Sequence, residues 1–221
     1  MMQRHFDRDI EHLKELLLQM GAMVEDAISD SIRALLERDA AVAQRVIASD
    51  DGIDRMELES DQHTIELIAK MQPAAVDLRF VATAMKITPE LERIADLAVD
   101  VCERALELNA EAPLKPLLDI PRLARIAQQM VREALDAFVR RDAALARQVI
   151  ARDDEVDRLT EQSFRELLTY MLEDSRNISR AIRLTFVGKY FERIGDGATN
   201  ICEMVVFLAE GKVIKHHNEA R

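Results

Sequence analysis

The chain has 221 residues, 41 of them acidic and 30 basic, for a net charge of −11. It has no tryptophan, two tyrosines and no basic cluster, which excludes a nucleic-acid binder, because phosphate backbones are held by positive surface that displaces counterions. No segment approaches roughly eighteen uninterrupted apolar residues and the amino terminus does not resemble a signal peptide, so a bilayer-spanning element is not expected and the cytoplasm is the expected location.

Six glycines and five prolines in 221 residues, with abundant Ala, Leu, Glu and Arg, favour helix throughout. No stretch alternates with period two, so the fold class is all-α. A first helix is expected over about 7–37. Asp39 is placed to cap a second, which runs to about Met71 and stops near Pro73. The third covers about 77–108, with apolar Leu91, Ile94, Leu97, Ala98 and Val101 at helical spacing, as Ile65, Ile68, Ala69 and Val76 are before it. Residues 109–118, with Pro113 and Pro116, form the one interdomain linker, and Asp119 with Pro121 restarts a helix. Helices at about 119–140, 142–173 and 176–210 follow, ending at Gly211. Pro89 conflicts with the third helix, because it removes an amide and crowds a preceding carbonyl. A kink is expected there, or a break with Thr88 capping the next segment; Lys189 stands at the matching later position, which should run straight.

The later helices repeat the earlier ones. Glu92-Arg93-Ile94-Ala95-Asp96 recurs 100 residues on as Glu192-Arg193-Ile194-Gly195-Asp196, and seven of the twelve positions from 92 to 103 are identical at that offset. Residues 39–55 match 142–158 at eleven of seventeen positions, at an offset of 103. The first copy therefore holds three more residues, between about 55 and 66. The chain reads as a tandem duplication of an antiparallel three-helix bundle, residues 1–108 and 119–215, with a tail at 216–221. Helices of thirty residues span about 45 Å, so the molecule should be elongated. Cys102 and Cys202 occupy equivalent positions and are read as small core residues; two separate bundles would not bring them together as a disulfide.

Acids lie in stripes. Asp50, Asp54, Glu57 and Asp61 are spaced four, three and four apart, on one helix face. Asp153, Asp157 and Glu161 continue the theme in the second copy, where the slip leaves Asp157 matching either Asp54 or Glu57. Glu92, Asp96 and Asp100 are mirrored by Glu192, Asp196 and Asn200. If the second and third helices lie antiparallel, two carboxylate rows face each other, a donor set that suits Mg, Mn, Ca or iron. The bland alternative is solvated stripes neutralised by Arg55, Arg93, Arg158 and Arg193. Glu92, Asp96, Glu192 and Asp196 are the first candidates for metal, followed by Asp50, Asp54, Asp153, Asp157, Asp100 and Asn200. Fe, Mn, Mg, Zn and Ca are not distinguished, and no organic cofactor is expected. The five histidines form no ligand set: none follows a Glu by three, as di-metal carboxylate enzymes on bundles require, and His5, His12, His216 and His217 are read as solvated surface. No phosphate loop, nucleophile elbow or zinc spacing occurs. Catalytic residues are therefore not assigned. The rival readings are a carboxylate-rich metal store, a metal-dependent enzyme, or a structural bundle.

Taken together these residues resemble the PhoU family of phosphate-signalling regulators along nearly the whole chain. The resemblance rests on Gln72-Pro73-Ala74-Ala75-Val76-Asp77-Leu78-Arg79, on both Glu-Arg-Ile-x-Asp copies with the Ile201-Cys202-Glu203 ending, and on Met171-Leu172-Glu173-Asp174-Ser175-Arg176. It implies a tandem three-helix-bundle fold and a non-enzymatic negative regulator of phosphate uptake and phosphate-regulon signalling. The implied partners are the ATPase subunit of a phosphate ABC transporter and the regulon's sensor histidine kinase. It further implies a homodimer, membrane association only through those partners, and metal clusters on the Glu/Asp-x-x-x-Asp motifs. Asn200 in place of the acid at Asp100, and Asn177-Ile178-Ser179 in place of Asp77-Leu78-Arg79, are departures that argue against equal loading of the two sites.

Overall fold

Two aspartates a repeat apart set the chain's course. Asp39 Oδ1 accepts from the amides of Ala41 and Val42 at 2.9 and 3.1 Å, and Asp142 Oδ1 from those of Ala144 and Leu145 at 2.9 and 3.0 Å. Each therefore satisfies free donors of a first helical turn. An arginine in the left-handed region precedes each, Arg38 at φ 57° and Arg141 at φ 54°. The following amides reach back to Ala34 O and Ala137 O at 3.1 and 2.9 Å, which closes the preceding helix in a Schellman turn. First and second helices of each copy thus meet through the same sharp reversal.

The computed structural model describes residues 2–71 and 75–214. Its helices are α1 (Met2–Glu37), α2 (Ala40–Met71), α3 (Ala75–Asn109), α4 (Asp119–Arg140), α5 (Ala143–Ile150), α6 (Asp153–Glu173) and α7 (Ile178–Glu210), with a 3-10 turn at Ser175–Asn177 before α7. α1, α2 and α3 pack as one three-helix bundle; α4, the broken pair α5 and α6, and α7 make the other. Pro73 and the 216–221 tail with His216 and His217 lie outside the described residues, as do the side chains of His5 and Val76.

The two bundles are not insulated from each other. α3 packs on α7 as extensively as on α2 of its own bundle, α1 touches α4, and one continuous apolar core runs through both units. α3 and α7 run antiparallel. Arg183, early in α7, bonds Glu107 at the far end of α3 and Glu111 just beyond it, at 2.7 and 3.0 Å. Arg79, early in α3, packs on Gly211, the left-handed C-cap of α7. Phe80 of α3 stacks on Phe138 of α4 with centroids 5.0 Å apart, and Arg141 lies 5.4 Å over the Phe80 ring. Among the described residues no helix is long and apolar enough to cross a membrane.

Two expectations are corrected. Of the two outcomes expected at Pro89, the break does not occur: α3 is continuous through Pro89, and Thr88 does not cap a new segment. Its hydroxyl donates to Ala84 O at 3.0 Å and sits 3.2 Å from Ser60 Oγ. Pro89 is on the exposed face, and the carbonyl that loses its helical donor belongs to Met85, also a residue of the exposed face. The interruption falls instead in the second copy, where one helix over 142–173 was expected. Residues 151–152 separate α5 from α6, wound tightly by three-residue bonds from Arg152 N to Val149 O and Glu155 N to Arg152 O, both 2.9 Å. Arg152 is drawn to Glu133 of α4 at 2.5 Å. The copy that is three residues shorter is the one that breaks.

Cys102 and Cys202 are both free and buried. Burial pushes the Cys102 thiol up to about 12 and the Cys202 thiol higher still, so both are inert core residues, as the sequence suggests.

Candidate functional site

The antiparallel packing of α2 on α3 turns two acidic stripes towards each other. Asp50, Asp54 and Glu57 from α2 meet Glu92 and Asp96 from α3. Asp54 and Asp96 are exposed, while Asp50, Glu57 and Glu92 are half-buried. Glu92 is pushed up to about 7, by burial first and then by the charges of Asp96, Glu57, Asp54 and Asp50. Asp50 is pushed up to about 6 by burial and by Asp96, Asp54 and Asp51. Glu57 is raised by burial and by Asp61, Asp54 and Asp96, and Asp96 by burial and Asp54. Desolvation and like charge therefore act together, and charge is held in this cleft at a cost. Asp50 Oδ1 is buried and accepts no hydrogen bond. The motif arginine does not relieve the strain, since Arg93 Nη2 donates to Glu90 at 2.7 Å.

Glu57 belongs to this cluster as fully as Asp54 does. Its place in the stripe is legible from the four-three-four spacing, but the repeated motif points only to Glu92 and Asp96. Asp100 stands at the margin. Burial and Glu103 raise it, while Arg104 and Arg193 pull the other way.

The second copy gathers a different set. Asp196 is raised by burial, then by Glu192 and Asp157, against the pull of Lys189 and Arg93. Asp157 thus acts on Asp196 as Asp54 acts on Asp96. Lys189 bonds Glu192 directly. Arg93, Asp153, Arg193, Asp196, Thr199, Asn200 and Glu203 line one cleft of about 310 Å³ between α3, α6 and α7. Asn200 Nδ2 donates to Glu90 of the other copy at 3.5 Å. The motif arginines cross over: Arg93 of the first copy faces Asp196 of the second, and Arg193 faces Asp100. The first site is an all-oxygen, unneutralised cluster, and the second is threaded with cations.

Among the described residues no three His, Cys, Asp or Glu side chains converge as a ready-made ligand set. The oxygen-only donors, the orphaned Asp50 Oδ1 and the uncompensated charge of the first cluster suit a hard cation in chemistry. The side chains would have to draw inward around it.

A family model described as PhoU domain matches residues 17–105 and 120–205. The chain is 41% identical over 211 residues to the phosphate-specific transport system accessory protein PhoU homolog of Aquifex aeolicus, covering 96% of each. It is 38% identical over 211 residues to the phosphate-specific transport system accessory protein PhoU of Escherichia coli K12, covering 96% of this chain and 88% of that one. The crystal structure of PhoU from Pseudomonas aeruginosa superposes with a TM-score of 0.90 at 40% identity, over 94% of this chain and all of the other.

Proposed function

The chain belongs to the PhoU domain family, and from that premise we propose that it is a negative regulator accessory to a phosphate transport system. The observation that carries this reading is the near-full-length match, in order and in both repeats, to proteins that bear that name. The protein acts by docking rather than by turnover. It restrains the ATPase subunit of a phosphate ABC transporter and holds the sensor kinase of the phosphate regulon inactive, working at the cytoplasmic face of the membrane as a homodimer.

In this reading Asp50, Asp54, Glu57, Glu92 and Asp96 hold a cation or small metal cluster in the first bundle. A bound cation supplies positive charge that offsets the repulsion among these acids and fixes α2 against α3. The residues themselves shape the docking face: with their charge offset they order the two helices, and without it they repel one another. A metal store or metal-dependent enzyme is the second reading, supported by the same carboxylates and opposed by the absence of paired histidine ligands in the motifs.

The deciding experiment is a deletion strain carrying a phosphate-regulon reporter, grown in high phosphate. Constitutive expression is the expected result. Normal repression in the deletion strain overturns the regulatory reading.

A further inference from the structure

His12 of α1 and His63 of α2 meet away from the acidic cluster, with ring centroids 4.8 Å apart and ring planes at 86°. His63 Nε2 lies 3.0 Å from the backbone carbonyl of Asp9. A carbonyl only accepts, so Nε2 is the donor and Nδ1 is the nitrogen left to meet a ligand. A backbone carbonyl that fixes the tautomer in this way is the outer-shell arrangement of metal-ligating histidine. His12 Nδ1 stands 4.0 Å from Glu15 Oε2, beyond hydrogen-bond range, and its side chain is 51% exposed. Its ring is therefore free to take up a ligand. His12 is exposed, as expected of solvated surface, and makes this ring contact from there.

A metal ion must lie in the plane of each imidazole that binds it. Two stacked rings share no such position, whereas perpendicular planes intersect in a line along which one ion is in plane with both. Metal–nitrogen bonds of about 2.0–2.1 Å at a tetrahedral ion put the centroids of two ligating imidazoles roughly 5 Å apart. The observed separation of 4.8 Å fits that spacing. The surroundings are anionic: Glu15 flanks His12, and Glu66, which is bonded to Lys70, senses His63.

We propose that His12 and His63 form a two-histidine site for a borderline transition-metal ion such as Zn²⁺, clipping α1 to α2, with water completing the coordination. Imidazole suits this class of ion, whereas Mg²⁺ and Ca²⁺ prefer oxygen ligands. The site is separate from the carboxylate cluster and does not depend on the regulatory reading.

The test is a calorimetric titration of ZnCl2 into tag-free full-length protein, alongside His12→Ala, His63→Ala and the control His216→Ala/His217→Ala. Each single variant should lose one equivalent of Zn²⁺ or weaken it by at least the roughly tenfold that loss of even an outer-shell partner costs. The tail control should bind as the parent does. Full binding in either single variant overturns the proposal, and so does loss confined to the tail control. Ring-nitrogen NMR of the unmutated protein removes any ambiguity from misfolding. His63 Nδ1 and one nitrogen of His12 should shift together on Zn²⁺ addition, and unmoved resonances at saturating Zn²⁺ overturn the site.

Discussion

Ile94 of the first Glu-Arg-Ile-x-Asp motif fills the space that Gly197 leaves beside the second. A Cβ at position 197 would lie 2.9 Å from both Cδ1 and Cγ1 of Ile94, and Cγ1 cannot swing away without moving the side chain as a whole. The motif's apolar member and the residue just after its partner's acid thus pack together where α3 meets α7. Gly197→Ala should destabilise the chain by about 1–3 kcal/mol through overpacking. Gly188, on the same helix, has nothing within 4 Å of an added Cβ, and Gly188→Ala should stabilise by about 0.5–1 kcal/mol. Urea midpoints of the two variants check the pair. Equal effects of the same sign would mean that the helix contact does not govern position 197.

The acidic cluster gives folding a pH dependence of definite sign. Glu92 moves from an ordinary 4.5 to about 7 and Asp50 from 3.8 to about 6. Between the unfolded and folded values the native state binds more protons than the unfolded chain, so stability is highest in mild acid and falls as pH rises towards 7. Glu92→Gln removes the largest such contribution. Urea titrations of metal-free protein from pH 5 to pH 8 should show parent stability declining more steeply than that of Glu92→Gln. Parallel profiles would dismiss Glu92 as the source.

How much of this was readable from residues alone is itself a physical question. The Asp39 and Asp142 caps, the α3 pattern and the sharing of one helix face by Asp50 and Asp54, and by Glu92 and Asp96, follow from local rules: side-chain capping and the spacing of helix neighbours. That the two acidic faces meet depends on the antiparallel packing of α2 on α3. The unbroken helix at Pro89 does not follow from such rules. It depends on Thr88 being buried against Ser60 while Met85 faces water, which only tertiary packing decides. The break at 151–152 was hidden because Arg152 is drawn to Glu133 of another helix. The crossing of Arg93 to Asp196 was also out of reach, since periodicity within one repeat says nothing of how the two repeats lie together.

Asn200 is explained by the same interface. Its amide faces Glu90 Oε2, which Arg93 already holds. An aspartate at 200, which would copy Asp100, would set a carboxylate against that of Glu90. Asn200→Asp should cost up to about 1 kcal/mol at low ionic strength and less as salt screens the pair. The reciprocal change, Glu90→Gln with Asn200→Asp, should recover most of it. A double variant no more stable than Asn200→Asp would sink the account.

Free phosphate should not bind. The one described cleft that joins two motif arginines, Arg93 and Arg193, is also lined by Asp153, Asp196 and Glu203, and the chain carries a net −11. Isothermal titration of inorganic phosphate into metal-free protein should give no saturable heat. Tight binding would make the protein a phosphate sensor in its own right.

The two repeats should differ in metal content. In the first, Asp50, Glu57, Glu92 and Asp96 repel one another, and Arg93 is turned to Glu90, so an added cation relieves real repulsion. In the second, Lys189 already occupies Glu192 and Arg93 lies towards Asp196; a cation there must displace charges that do the same work. Elemental analysis of protein loaded with Mn²⁺ or iron should therefore show a large drop for Glu92→Ala/Asp96→Ala and a smaller one for Glu192→Ala/Asp196→Ala. Equal losses would mean that the resident cations of the second site do not compete. Unchanged content in both variants would remove the motif acids as ligands altogether and leave the repulsion in the first cluster to be relieved by protonation alone.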